Sequence, residues 1–133
     1  MNTEWAKSWI NNIGVGGSAL IDMFADNVQF EDVILAHKAN GKAELIAFFT
    51  SLGGPDAGQH TFSFKSYLGD ANAGAVEWTW QFDHARDFLG VSAAGQQTRV
   101  KGVSTMTFKE GKIASQRDYW DAAGALRQLG TLT

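Results

Sequence analysis

The C-terminal half of the chain alternates apolar and polar residues with the period of a β-strand, and this pattern constrains the fold most strongly. In its clearest segment one parity holds the residues Val76, Trp78, Trp80 and Phe82, whereas the other holds Glu77, Thr79, Gln81 and Asp83. Successive side chains of a strand point to opposite faces, so the segment predicts a half-buried strand. Similar alternation from His60 to Leu68 and from Arg99 to Phe108 predicts an antiparallel meander.

A predicted hairpin extends the meander and carries the first candidate catalytic residue. Glu110-Gly111 supplies a tight turn. One face of the next strand holds Ala114, Gln116, Asp118 and Trp120. Asp118 therefore shares a surface with a large aromatic residue that normally seeks the interior, which indicates a functional acid. The alternative is an acid that backbone donors, or a cation such as Arg99 or Arg117, satisfy.

Helical patterns come before the strands. Residues 1–12 form a predicted amphipathic helix, ended by the glycines at 14–17, and Ser18 to Phe24 form a second short helix. A strand is predicted from Val28 to Asp32 and a loop from Val33 to Asn40. A third helix opens at Gly41-Lys42 and is stopped by Gly53-Gly54-Pro55.

A short final helix is predicted over Ala122–Leu129, with Asp121 as its N-cap and Gly130 as its stop. Helices followed by a long meander indicate a single α+β domain over residues 1–133. In such a domain a curved antiparallel sheet wraps around the N-terminal helices.

Composition excludes several classes of function. The net charge of -3 and the scattered Lys and Arg residues argue against nucleic-acid binding. The chain has no Cys, and its three His residues lack the close spacing of a zinc site, so neither a metal nor a cofactor is predicted. No apolar run approaches the roughly 20 residues of a membrane span, and the polar start lacks the features of a signal peptide. We therefore expect a cytoplasmic protein without membrane contact.

A second acid, Asp32, lies on the apolar parity of its own strand together with Val28 and Phe30. If the sheet is curved, Asp32 and Asp118 project into one concave space lined by aromatic rings. Burial and mutual repulsion then raise the proton affinity of at least one carboxylate, which suits general acid and base catalysis. The alternative is a strand-end acid satisfied by its neighbours.

Aromatic residues supply candidate walls for a pocket around these acids. The residues predicted to bind substrate are Trp78, Trp80, Phe82, Ser104, Trp120, Phe30 and His37. His37 follows Asp32 in the predicted loop, where it can lie at the pocket mouth. Aromatic residues on strands are also typical of an ordinary core, so both interpretations stay open.

Three stretches of the chain resemble the ketosteroid isomerase and SnoaL-like polyketide cyclase group of the nuclear transport factor 2-like superfamily. They are residues Met23 to Asp32, Gly41 to Phe49, and Glu110-Gly111-Lys112-Ile113 leading to Asp118-Tyr119-Trp120-Asp121 with Gln128-Leu129-Gly130. The resemblance implies a cone-shaped domain whose curved sheet encloses helices and a pocket, usually as a homodimer.

The resemblance also implies roles for single residues. Asp32 matches the general base of the isomerases, and Asp118 matches an essential pocket acid of the similar limonene-epoxide hydrolases. Ser104 stands where the isomerases have a protonated Asp, whereas Trp78 and Trp80 stand where the hydrolases have an Arg and an Asp. In the cyclases the acid ahead of the final Gln-Leu-Gly matches Asp121, which conflicts with a simple capping role.

Two functions follow from these patterns. The first is a cofactor-free isomerase, cyclase or hydrolase acting on a small, largely apolar organic molecule, with Asp32 taking a proton and Asp118 returning it or orienting water. The second is a non-catalytic module of the same fold that binds a small ligand or a protein partner.

Overall fold

The computed structural model describes residues 1–52 and 56–131, which form a mixed α+β domain. The predicted fold class, with a curved sheet and N-terminal helices, is confirmed. The helices are α1 (Thr3–Val15), α2 (Ser18–Ile21), α3 (Lys42–Leu52) and α4 (Ala122–Gln128). The strands are β1 (Phe24–Asp32), β2 (His37–Asn40), β3 (Gly58–Gly69), β4 (Ala73–His84), β5 (Gln97–Lys109) and β6 (Lys112–Trp120).

The six strands form one sheet in the order β2-β1-β6-β5-β4-β3. The meander from β3 to β6 is antiparallel, as the sequence predicts, and so is the β1–β2 pair. The sheet differs from a purely antiparallel one at a single pairing, because β1 and β6 run parallel. Parallel neighbours need a long crossover, and here α3 and the meander supply it.

Several element bounds differ from those predicted. Helix α1 continues through Gly14 to Val15, and the φ of 74° at its C-cap residue, Gly16, breaks the helical path. Strand β1 already begins at Phe24, where the sequence predicts the end of the second helix, and not at Val28. Residues 37–40 form the edge strand β2, where the sequence predicts a loop. The predicted stop of the third helix at residues 53–55 lies outside the described residues.

An irregularity in the last hairpin sets which side chains of β6 face inward. The β5–β6 register shifts between Thr107 and Phe108, so Ile113 is buried on the inner face opposite Phe108. Beyond the shift the buried positions are Gln116 and Trp120. A bulge re-aims the residues that follow it. Ala114 therefore sits at the irregularity, whereas the predicted face of Gln116, Asp118 and Trp120 is kept.

The core lies between the concave face of the sheet and the helices. Helix α1 packs on β3 through buried Ala6, Trp9 and Ile10, and α3 packs on β1 and β2. Burial of these apolar side chains is the main force that holds the helices to the sheet. Within residues 1–52 and 56–131, no helix combines the length and apolarity needed to cross a membrane.

Candidate functional site

A cavity of about 950 Å³ lies inside the concave face of the sheet. Its walls are mostly apolar and aromatic, and its polar lining includes Asp32, Ser104, Gln116 and Asp118. Pockets of roughly 300–1,000 Å³ with few polar groups are typical of small-molecule sites. The cavity is therefore large enough for an organic molecule of several rings.

The two predicted acids converge on this cavity. Asp32 of β1 and Asp118 of β6 are register partners in the parallel pair, and both side chains line the cavity. Adjacent strands lie about 4.8 Å apart, and paired residues of a parallel ladder point to the same face. The two carboxyl groups therefore belong to one site, although 86 positions separate them in the chain (118 − 32).

Asp118 lies deep in the protein but is reached from the cavity. Its Oδ1 accepts hydrogen bonds from Ser104 Oγ at 2.6 Å and from Gln116 Nε2 at 2.9 Å. Burial, with a smaller contribution from the charge of Asp32, raises the pKa of Asp118 from its ordinary value of 3.8 to about 7, against the lowering effect of these two hydrogen bonds. Both protonation states are thus populated near neutral pH.

Asp32 is almost fully enclosed, with 5 % of its surface exposed. Its Oδ1 accepts from the backbone N–H of Leu35 at 2.9 Å. The indole Nε1 of Trp120 donates to both carboxyl oxygens, at 3.3 Å and 3.1 Å. All of these partners are N–H groups, so the carboxyl group acts as an acceptor in every contact and is held in one orientation.

No cation neutralises either acid among the described residues. Arg117, one of the cations considered from the sequence, lies on the outer face at 3.7 Å from Glu31. Arg99 is exposed and pairs through its backbone with the side chain of Gln128. Nor does this part of the chain contain three His, Cys, Asp or Glu side chains placed to hold a metal ion. Hydrogen bonds, rather than ion pairs, satisfy the two carboxyl groups.

The predicted aromatic wall is present. Trp78, Trp80, Phe82 and Trp120 all line the cavity. The rings of Trp80 and Trp120 meet edge to face, with centroids 5.2 Å apart. Such pairs stabilise a wall beyond the area that they bury.

The model of the SnoaL-like polyketide cyclase family matches residues 6–129. The chain belongs to the SnoaL-like polyketide cyclase family. None of the functionally curated proteins compared with it matches its sequence.

Solved structures of similar proteins show the same fold for this SnoaL-like domain. A proposed polyketide cyclase from Xanthomonas campestris pv. campestris is 15% identical with a TM-score of 0.81, over 96% of this chain and 95% of that one. AclR, a proposed hydroxylase from Streptomyces galilaeus, is 17% identical with a TM-score of 0.77, over 99% and 89%. A protein with a ketosteroid isomerase-like fold from Catenulispora acidiphila, in complex with trimethylamine, is 17% identical with a TM-score of 0.77, over 100% of this chain and 96% of that one.

Two of the residues predicted to bind substrate lie away from the described lining of the cavity in the SnoaL-like domain. Phe30 is buried and packs on Phe48, with ring centroids 5.1 Å apart. His37 is exposed at the start of β2, where it stacks on the same ring at 4.5 Å. The alternation in β1 correctly predicts that Phe30 points to the interior, but α3 packs over its ring and separates it from the cavity.

Asp121, which the resemblance to the cyclases implicates in catalysis, caps helix α4 in the SnoaL-like domain. Its Oδ1 accepts from the backbone N–H of Gly124 at 2.8 Å, and its side chain is exposed. It does not belong to the described lining of the cavity. The capping role predicted from the sequence therefore agrees with the geometry.

Several lining residues of the SnoaL-like domain are not among the predicted site residues, and Gln116, His60 and Phe88 are three of them. Gln116 shares the parity of Asp118, and this pattern could have identified it. His60 accepts from Trp80 Nε1 at 2.9 Å through Nδ1, and burial lowers the pKa of its imidazole. Phe88 lies in the loop between β4 and β5, where apolar and polar residues do not alternate, so only the structure identifies it as a wall residue.

Proposed function

We propose that this SnoaL-like domain catalyses proton transfer at a C–H bond beside a carbonyl group in a small, largely apolar molecule. The observation that supports the proposal is the placement of Asp118 in an aromatic cavity with a pKa of about 7. A carboxyl group with such a pKa accepts and returns protons efficiently near neutral pH. Base and acid are then side chains of this chain, and the reaction needs neither a metal nor a cofactor.

The free oxygen of Asp118 is the proton-transfer atom in this proposal. Both hydrogen bonds to the carboxyl group end on Oδ1, and Oδ2 has no partner among the described residues. Oδ2 is also not fully enclosed by protein atoms. A substrate in the cavity can therefore reach it.

The resemblance to the isomerases implies that Asp32 is the base. In this proposal Asp32 instead has an electrostatic role. Its two oxygens are engaged by the N–H groups of Leu35 and Trp120, and its surface is almost fully enclosed. Its charge raises the proton affinity of Asp118. A stronger base removes a proton from carbon more readily.

Cyclisation is the form of this chemistry that the family favours. Asp118 removes a proton from carbon, and the resulting enolate attacks a second carbonyl of the same molecule, so that a C–H bond breaks and a C–C bond forms. The protonated Asp118 returns its proton to the new alkoxide. The family model and the size and apolar walls of the cavity support a folded polyketide-type chain or fused-ring ketone as the substrate.

Hydrogen–deuterium exchange tests the proton-transfer step without the natural substrate. With 2-tetralone in D₂O as the probe, we expect the protein to accelerate loss of the C1 and C3 proton signals in NMR spectra. Asp118→Asn should reduce this acceleration about 100-fold or more. Asp70→Asn is the matched control, because Asp70 lies in the exposed β3–β4 turn outside the cavity lining.

Two results would contradict the proposal. One is exchange that proceeds equally fast with folded Asp118→Asn. The other is saturable binding of 2-tetralone without any acceleration of exchange over buffer, which is the behaviour of the ligand-binding module considered from the sequence.

A further inference from the structure

Trp78 of β4 lies over a glycine of the next strand. Trp78 and Gly102 are register partners, and a methyl group added at Gly102 would collide with the far edge of the indole ring. The ring therefore fits flat in a space that only a glycine leaves open. From there the indole Nε1 reaches diagonally to Ser104 Oγ, at 3.0 Å.

The bond from Trp78 gives the Ser104 hydroxyl a fixed direction. An indole N–H only donates, so Ser104 Oγ must accept from it. The single hydroxyl hydrogen is then left for the other close partner, Asp118 Oδ1, at 2.6 Å. Both Trp78 and Ser104 are buried, with 5% and 1% exposed, so bulk water competes little for the bond between them.

The hydrogen bonds from Trp78 to Ser104 and from Ser104 to Asp118 form a relay that ends on one carboxyl oxygen, Oδ1. Oδ1 faces the Ser104 hydrogen and the Gln116 amide, so a proton on Oδ1 would oppose both donors. Gln116 does not lock this direction alone. Its Oε1 has no partner among the described residues, so a turned amide would present an acceptor instead.

We propose that Trp78 is a positioning residue that acts through Ser104 to keep Asp118 Oδ1 unprotonated, so that the transferable proton resides on Oδ2 at the cavity. Without the indole N–H, the Ser104 hydroxyl is free to turn and accept a proton carried by Oδ1. That arrangement stabilises neutral Asp118 with its proton pointing away from the substrate. The inference rests on the proposed function only in that Asp118 is the acid–base group.

Replacing Trp78 tests the relay through the titration of Asp118 itself. In Trp78→Phe, we expect ¹³C NMR of the labelled aspartate carboxyl carbons to show the Asp118 pKa raised by roughly half to one unit. The reason is that the Ser104 hydroxyl is no longer held as a donor to ionised Asp118. A merely structural role predicts the opposite sign, since a looser cavity admits water and relieves the burial that raises the pKa. Trp5→Phe is the matched control, because Trp5 lies outside the cavity lining.

A double-mutant cycle with Ser104→Ala shows whether the effect passes through Ser104. We expect Ser104→Ala alone to raise the Asp118 pKa, and Trp78→Phe to add no further shift in that background. If Trp78→Phe does not fold, benzothienylalanine at position 78 retains the ring shape and removes only the donor.

An unchanged or lowered Asp118 pKa in folded Trp78→Phe would overturn the relay, as would a second shift in the Ser104→Ala background. Both readouts are independent of turnover. Failure of the relay and failure of the proposed reaction are therefore distinguishable, because the exchange assay with 2-tetralone reports only on the reaction.

Discussion

Asp32 and Asp118 are direct register partners on adjacent parallel strands of the sheet, and both line the same cavity. The parallel pairing is what aligns them, because a parallel ladder keeps the side chains of paired residues on one face. Their hydrogen bonding is nevertheless unequal. Two N–H groups hold the oxygens of Asp32, whereas the partners of Asp118 leave its Oδ2 open to the cavity.

The first prediction concerns the charge of Asp32. Asp32→Asn should lower the pKa of Asp118, because the negative charge that opposes its ionisation is removed. The midpoint of the pH profile for 2-tetralone exchange should move to lower pH by the same amount. Carboxyl ¹³C titration measures the first quantity, and exchange rates from pH 5 to 9 measure the second. Asp70→Asn should move neither, and a raised Asp118 pKa in Asp32→Asn would contradict the electrostatic role.

The second prediction links Asp118 to stability. Its pKa of about 7 lies above the ordinary 3.8, so its favourable contribution is complete below about pH 3.8 and is lost as the pH rises to about 7. Asp118→Asn removes this dependence but retains a similar shape. The unfolding free energy of the variant should therefore rise relative to the unmodified protein by about 2 to 3 kcal/mol between pH 5 and pH 8.

Urea denaturation at the two pH values measures this difference. Asp70→Asn serves as the reference, since Asp70 is an exposed turn residue. A difference between Asp118→Asn and the unmodified protein that stays constant with pH would show that Asp118 does not carry a raised pKa.

The third prediction separates capping from catalysis at Asp121. Asp121→Ala should lower the unfolding free energy by about 1 kcal/mol, because the N–H of Gly124 loses its acceptor. Asp121→Asn keeps a capping oxygen and should retain most of the stability. Both variants should exchange 2-tetralone at the rate of the unmodified protein. Loss of exchange in folded Asp121→Asn would instead support the role that the resemblance to the cyclases implies.

The fourth prediction concerns the space under Trp78. Gly102→Ala should destabilise the fold by about 1 to 3 kcal/mol, because the added methyl group collides with the indole ring. Gly14→Ala is the matched control, since Gly14 lies inside helix α1 with no atom near the new methyl group. It should stabilise the protein by about 0.5 to 1 kcal/mol. Thermal or urea unfolding of both variants shows whether the unfolding free energy falls in Gly102→Ala and rises in Gly14→Ala.

Local patterns in the sequence were sufficient to predict most of the fold. Period-2 alternation predicted β4 and β5, and Glu110-Gly111 predicted the last hairpin, because side-chain direction in a strand depends only on the residue's own parity. The cap at Asp121 was predictable for a similar reason, since it involves residues three positions apart. The edge strand β2 was missed because its four residues have little pattern of their own and pair only with β1.

The α+β class, the inward parity of Asp32 and Asp118, and the aromatic side chains beside them all follow from local sequence patterns. Three features emerge only from the folded chain: β1 pairs in parallel with β6, α3 covers Phe30, and Trp78 reaches Ser104 above Gly102. Sequence patterns are sufficient for the first set because parity is a local property of one strand. Register, enclosure and hydrogen-bond direction arise only when segments far apart in the chain bury their surfaces together.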